Sequence, residues 1–191
     1  MRREYLDRIL KAVSSKRVLL YGLESSGKTK LASIIAREIS LSGGKVIYAF
    51  NSPFNKESFA STLTGNAENV LMVSFRKFSV ILPLLLRAVI SGYTLLIIDV
   101  VPSLSEQQDP CELSLFVALL SEVVRRFNSS LLIIVDERPE GSPIFQKIFL
   151  KYIDEVLHVQ RHGEELKVRL LSGEELSLSF EDLFFRRGRI L

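Results

Sequence analysis

The sequence has little cysteine and no tryptophan, with one Cys and no Trp among 191 residues. A single cysteine excludes a disulfide scaffold and a zinc site built mainly from thiolates. No uninterrupted apolar run reaches the roughly 20 residues of a membrane span, so we expect no membrane partner. The first residues, from Met1 to Glu4, lead into an amphipathic segment and not into the apolar centre of a signal peptide. These absences predict a cytoplasmic protein.

A strong excess of one charge is also absent, because 25 Lys and Arg residues stand against 22 Asp and Glu residues. The net charge of +3 permits a nucleic-acid partner without requiring one. Its densest basic cluster is near the end of the sequence, at Arg186 to Arg189. No linker rich in Pro, Gly or Ser divides the chain. We therefore predict a single domain over 1–191, with an amino-terminal helix in 1–15 and antiparallel strands with a basic tail in 150–191.

Short apolar runs alternate with segments of helical periodicity over the first 136 residues. The pattern predicts an α/β fold, because near-continuous apolar strands are typical of a mostly parallel sheet covered on both faces. Turn signals after that point predict three shorter strands that form an antiparallel extension of the sheet. The predicted strands are 17–21, 45–50, 70–75, 93–99, 131–136, 156–161, 166–171 and 176–180, and the predicted helices are 2–13, 28–39, 53–63, 78–91 and 112–127.

The segment GLESSGKT, which runs from Gly22 to Thr29, fits the pattern G-x-x-x-x-G-K-[ST]. Glycines let such a loop curl so that its backbone N–H groups point at phosphate oxygens, and the following helix directs its positive end at the same anion. Here the loop follows an apolar strand and opens a helical pattern, which is the context that the motif requires. We expect Lys28 to bridge the β- and γ-phosphates and Thr29 to bind Mg²⁺. The nucleotide-binding residues predicted in this way are Gly22, Glu24, Ser25, Ser26, Gly27, Lys28 and Thr29.

Two aspartates end apolar strands downstream of the loop. Asp99 closes LLIID and suits a carboxylate that helps Thr29 to hold Mg²⁺, provided that the two strands end near one another. Asp136 closes LLIIVD and either senses the γ-phosphate or caps the loop that follows it. Glu24 is acidic beside the expected phosphates, so we expect it to point to solvent. Glu24 and Asp136 are the candidates for a catalytic carboxylate, whose identity the sequence leaves open.

The phosphate loop and the order of elements around it resemble the RecA/RadA recombinase superfamily, and the small archaeal RadB-like paralogues in particular. The likeness includes the strand KVIYAF with the following Asn51-Ser52-Pro53-Phe54, the two aspartate-ended strands and the short antiparallel tail. It implies a RecA-like P-loop fold that binds ATP or ADP with Mg²⁺. It also implies an accessory role in DNA repair and homologous recombination, with a recombinase or another repair protein as partner.

The sequence departs from that superfamily where a catalytic glutamate should follow the second strand. Asn51 or Ser52 stands at this place, and an amide or hydroxyl is a poor acceptor for the proton of an attacking water. The next acid, Glu57, lies on the following predicted helix. The loops Pro102 to Pro110 and Glu137 to Pro143 are short and more acidic than basic. We therefore predict weak or absent ATP hydrolysis, at most weak and non-specific DNA binding, and a monomer or small oligomer.

Two other functions fit the same motif. One is a regulatory ATP-binding module resembling KaiC-like proteins, which would work without DNA. The other is a small-molecule kinase, which would need an arginine over the phosphates; Arg138 and the pair Arg125-Arg126 are the candidates. The single cysteine, Cys111, lacks a context that would activate its thiol, and we expect it to be buried.

Overall fold

A computed structural model describes residues 2–63, 68–100 and 109–179, with side-chain burial from residue 4 onward. Strands and helices alternate along the first part of the chain as predicted, and three strands end it. The loop after Asp99, over 101–108, and the basic tail, within 180–191, lie outside the described residues. The elements are α1 Arg2–Val13, β1 Arg17–Gly22, α2 Lys28–Leu41, β2 Val46–Phe50, α3 Pro53–Thr62, β3 Val70–Ser74, α4 Phe78–Ile90, β4 Leu95–Asp99, α5 Pro110–Arg126, β5 Ser130–Asp136, α6 Gln146–Phe149, β6 Glu155–His162, β7 Glu165–Leu170 and β8 Glu175–Ser179.

The eight strands of the described residues form one sheet in the order β3-β2-β4-β5-β1-β6-β7-β8. The strands from β3 to β6 in that order are parallel, and β7 and β8 continue the sheet in antiparallel fashion. The predicted α/β fold with a mostly parallel sheet and an antiparallel extension is therefore confirmed. One part of the prediction is wrong: β6, which the turn signals assign to the antiparallel extension, runs parallel to β1 with Val18 opposite Glu155.

The pairing of β6 with β1 is accompanied by hydrogen bonds between residues that are distant in the sequence. The Arg17 backbone N–H and its Nε each donate to Asp154 Oδ2, at 2.9 and 2.8 Å, just before β6 begins. This hydrogen-bonded ion pair lowers the pKa of the Asp154 carboxyl. The parallel direction then follows because α6 and its flanking turns return the chain to the amino end of the sheet. Turn signals alone could not distinguish this return from a hairpin.

Two apolar layers cover the sheet. On one face α1, α2 and α3 pack over the strands through buried residues such as Ile9, Leu31 and Phe59. On the other face α4, α5 and α6 do so through residues such as Leu85, Phe116 and Phe149. The strands between these layers are buried along most of their length, which explains their near-continuous apolar sequence.

Most of the predicted element bounds agree with the structure to within two residues. Pro83 lies inside α4 without ending it, and its exposed ring faces away from the sheet. The short helix α6 was missed, because four residues are too few for a helical period. Cys111 is exposed, which contradicts the predicted burial; it lies in the first turn of α5 beside the capping Asp109. No helix in the described part of the chain is long and apolar enough to span a bilayer.

Candidate nucleotide-binding site

The segment from Gly22 to Thr29 forms a tight loop between β1 and α2. Ser25 and Gly27 adopt left-handed backbone conformations, with φ of 60° and 96°, and the Ser26 N–H donates to the Leu23 carbonyl at 3.1 Å. Gly27 directly precedes α2, where a residue without a side chain tolerates this conformation best. Such a curl followed by a helix N-terminus is suited to bind an anion.

Lys28 is the buried cation of the loop, with 7% of its surface exposed. Its Nζ donates to the carbonyls of Gly22 and Leu23, at 2.9 and 2.6 Å, and lies 2.8 Å from Asp136 Oδ1. The register explains this meeting, because Gly22 lies opposite Asp136 in the adjacent strands β1 and β5. The sequence left two roles open for Asp136, at the phosphate or as a cap of the loop that follows it. The contact with Lys28 brings this carboxylate to the phosphate loop. A phosphate bound here must share Lys28 with Asp136.

Asp99 and Thr29 meet across the carboxyl edge of the sheet as the sequence predicted. Thr29 Oγ1 donates to Asp99 Oδ2 at 2.9 Å, and the hydroxyl of Tyr48 donates to the same oxygen at 2.7 Å. Sequence reasoning missed Tyr48, although a tyrosine in a fully buried strand signals a hydrogen-bond partner for its hydroxyl. Burial and the nearby Asp99 raise the pKa of Tyr48, so its hydroxyl keeps the proton that it donates.

Burial raises the pKa of Asp99 to about 6, although hydrogen bonds from Tyr48 and Thr29 and the charge of Lys28 favour its ionised form. The folded chain therefore binds this proton more tightly than the unfolded chain, whose aspartate titrates near 3.8. The free energy of unfolding is unaffected by this group below pH 3.8 and falls as the pH rises toward 6. Above pH 6 the buried charge costs up to about 3 kcal/mol.

We expect Asp99→Asn to stabilise the ligand-free protein at about pH 7.5 and to have little effect near pH 4, because the uncharged amide avoids the cost of the buried charge. Urea unfolding of both proteins at the two pH values measures the difference. Asp154→Asn is the matched control, for which we expect a change in stability of the opposite sign. Arg17 lowers the pKa of Asp154, so loss of the Asp154 charge should destabilise the protein at neutral pH. Equal stability of Asp99→Asn and wild type at both pH values would contradict this account of Asp99.

A cavity of about 430 Å³ opens beside the loop at the carboxyl ends of β4 and β5. This volume is in the range of small-molecule sites. Glu24 is exposed at its wall, as expected, and Asp99 and Asp136 supply its other described carboxylates. The sequence did not indicate the contribution of α3 or of Arg161, which reaches the cavity from β6. The remaining lining residues are Ser25, Gly27, Lys28, Thr29, Lys30, Ser52, Phe54, Asn55, Ser58, Val100, Ile134 and Val135.

The oxygen atoms that this site offers as metal ligands fit Mg²⁺ carried by a nucleotide. Thr29 and Asp99 offer a hydroxyl and a carboxylate oxygen, which are hard ligands, and Mg²⁺ in such sites takes its other ligands from phosphates and water. The described residues contain no cluster of three His, Cys, Asp or Glu that would hold a metal by themselves. The site therefore suits a metal that arrives with phosphate, and not a protein-caged ion.

The junction of β2 and α3 provides no carboxylate to the cavity. Asn51 follows β2, and Ser52 is the N-cap residue of α3 and lines the cavity. Glu57 is exposed on α3 and lies outside the cavity lining. The kinase candidates Arg125, Arg126 and Arg138 are also absent from the cavity lining. Arg125 and Arg126 pair with Glu122, and Arg138 pairs with Glu140.

No protein-family model matches the chain, and no curated protein sequence does. Among solved structures, the chain is similar to a KaiC-like protein of the hyperthermophilic archaeon Pyrococcus horikoshii OT3. The two share 13% sequence identity, with a TM-score of 0.65, and the match covers 86% of this chain and 85% of that protein. At this identity the likeness concerns the fold alone. With its sheet topology and its phosphate loop, the chain thus has a RecA-like α/β fold.

Proposed function

We propose that this protein binds ATP and ADP with Mg²⁺ and works as a nucleotide-dependent switch with weak or absent hydrolysis. One observation carries the proposal: Lys28, Thr29 and Asp99 converge on a cavity at the end of the phosphate loop. Ser26 also supports the proposal, because its buried hydroxyl has no hydrogen-bond partner among the described residues. A phosphate oxygen would accept from that hydroxyl.

Weak hydrolysis follows from the carboxylates that surround the cavity. Asp99 accepts hydrogen bonds from Tyr48 and Thr29 at one oxygen and has the proposed role of binding Mg²⁺, and Asp136 is paired with Lys28, so both carboxylates are already engaged by other groups. Glu24 is exposed on the loop itself. Asn51 or Ser52 stands at the place of the missing glutamate, and an amide or a hydroxyl is a poor base.

Two cellular roles are candidates for this switch. The resemblance of the phosphate loop to recombinases favours an accessory recombinase paralogue in DNA repair, in the cytoplasm, with a repair protein as partner. The second candidate is a regulatory module resembling KaiC-like proteins, which would work without DNA, and a fold similar to that of a KaiC-like protein is compatible with it. DNA binding separates the two, because contacts to the phosphate backbone weaken steeply as salt rises. The role of the tail from Arg186 to Arg189 belongs to the same test.

Calorimetry of the wild type with MgATP and MgADP, together with phosphate release with and without single-stranded DNA, tests the proposal. We expect saturable binding of both nucleotides and phosphate release at least about 100-fold slower than the typical enzyme turnover of about 10 per second. Absence of nucleotide binding would overturn the proposal. Rapid, DNA-stimulated release would overturn its hydrolysis clause and make Glu24 and Glu57 the next residues to replace. DNA binding at low salt that disappears at high salt would support the repair role, and none at low salt would support the regulatory role.

A further inference from the structure

The buried carboxylate of the site is held by a side chain that belongs to the core of the sheet. Tyr48 lies in β2 with no exposed surface, and its ring stacks on Phe59 with 3.7 Å between centroids and 4° between planes. Tyr48 is opposite Ile97 in β4, two residues before Asp99, so its side chain extends along one face toward the carboxyl edge. Its hydroxyl thereby reaches Asp99 Oδ2 at 2.7 Å.

The two donors to Asp99 differ in what anchors them. Thr29 belongs to the phosphate loop, and its hydroxyl is the group that the proposed function assigns to Mg²⁺. Tyr48 is fixed by the strand and by aromatic packing, and it does not line the cavity. Both donate to Oδ2, and no hydrogen bond within the described residues involves the other oxygen of Asp99. A donor outside the loop can therefore keep the carboxylate oriented whether or not the loop holds a ligand.

We propose that Tyr48 is a positioning residue of the metal–nucleotide site: its hydroxyl holds Asp99 in the orientation that binds Mg²⁺ carried by ATP or ADP. This inference rests on the proposed function. Groups that hydrogen-bond to a metal-binding side chain orient it, and their loss typically lowers metal affinity about 10- to 100-fold. A hydrogen bond to a buried carboxylate also stabilises the charge that the metal requires.

The test is Tyr48→Phe, which keeps the stacked ring and removes only the hydroxyl. Calorimetry with a non-hydrolysable ATP analogue, in excess Mg²⁺ and then in a metal chelator, separates metal-dependent from metal-independent affinity. We expect the gain in affinity that Mg²⁺ gives to fall about 10-fold, with the metal-free affinity unchanged. Tyr21→Phe is the matched control, because Tyr21 lies on the opposite face and stacks on His158 at 4.5 Å, so its removal should leave both affinities unchanged.

A double-mutant cycle with Asp99→Asn makes the outcome decisive. If Tyr48 acts through Asp99, Tyr48→Phe should change the Mg²⁺-dependent affinity little in the Asp99→Asn background. Equal losses with and without Mg²⁺ would show a purely structural role and overturn the inference, and so would an unchanged Mg²⁺ dependence. Lack of binding of the ATP analogue by the wild type would overturn the proposed function as well. If the wild type binds the analogue and Tyr48→Phe does not behave as expected, only the inference about Tyr48 is overturned.

Discussion

Replacing Lys28 with alanine is expected to weaken MgATP binding at least about 100-fold. The buried ammonium is the cation of the loop, and each of its charge-assisted hydrogen bonds to phosphate is worth about 1.5–3 kcal/mol, where 1.4 kcal/mol is tenfold in affinity. In the ligand-free protein the same group is held by the Gly22 and Leu23 carbonyls and by Asp136. Its loss removes the attraction for phosphate and leaves the Asp136 carboxylate to repel it.

Calorimetry with MgATP and MgADP measures this effect on the variant and on wild type. Lys45→Ala is the matched control, because Lys45 is exposed at the opposite end of the sheet, just before β2. Circular dichroism should show that both variants remain folded. An affinity of Lys28→Ala within about threefold of that of wild type, a difference of under 1 kcal/mol, would contradict the assignment of this loop as the phosphate-binding site.

Gly22→Ala is expected to destabilise the fold by about 3 kcal/mol or more, which is among the larger effects of a single substitution. A Cβ at this position would lie 2.2 Å from the backbone carbonyl oxygen of Val159 and 2.8 Å from Ser26 Oγ. The first of these belongs to β6, which pairs directly with β1 and cannot withdraw as a flexible side chain could. The substitution must therefore separate two neighbouring strands at the base of the phosphate loop.

Urea unfolding of Gly22→Ala beside Gly43→Ala tests this steric argument. Gly43 follows α2 with φ of 84°, and a Cβ there would meet nothing within 4 Å. Gly43→Ala should therefore cost only the left-handed conformation of an alanine, about 1 kcal/mol. Failure of Gly22→Ala to fold would be the extreme form of the expected result. A loss of stability no larger than that of Gly43→Ala would show that β1 and β6 adjust easily.

Much of the fold was predictable because its strands are buried on both faces and its helices have one apolar side. Apolar runs such as RVLLY and LLIIVD can lie only in the interior of a covered sheet. Segments with Leu31, Ile34 and Ile35 at helical spacing must turn that side inward. The direction of β6 was not predictable, since it follows from a return of the chain through a turn of helix that is too short to have a period.

The candidate site divides in the same way between local and distant information. Lys28 and Thr29 follow the loop in sequence, so the motif alone placed them together at the start of α2. Asp99 was predictable as a residue at a strand end, because the carboxyl ends of parallel strands share one edge of the sheet. The contribution of the Tyr48 hydroxyl was not predictable. Tyr48 lies in a neighbouring strand, opposite the residue two positions before Asp99, and its side chain reaches Asp99 from there.

The sequence by itself thus determined the phosphate loop, the alternation of strands and helices, and the absence of a glutamate after β2. These are local properties, set by glycine conformation, by apolar periodicity and by the identity of single residues. Only the tertiary structure decided that Asp136 pairs with Lys28, that Tyr48 holds Asp99, and that β6 lies against Gly22. Each of these depends on which strands are neighbours and in what register, and strand order is fixed by the packing of the whole sheet between its two helical layers.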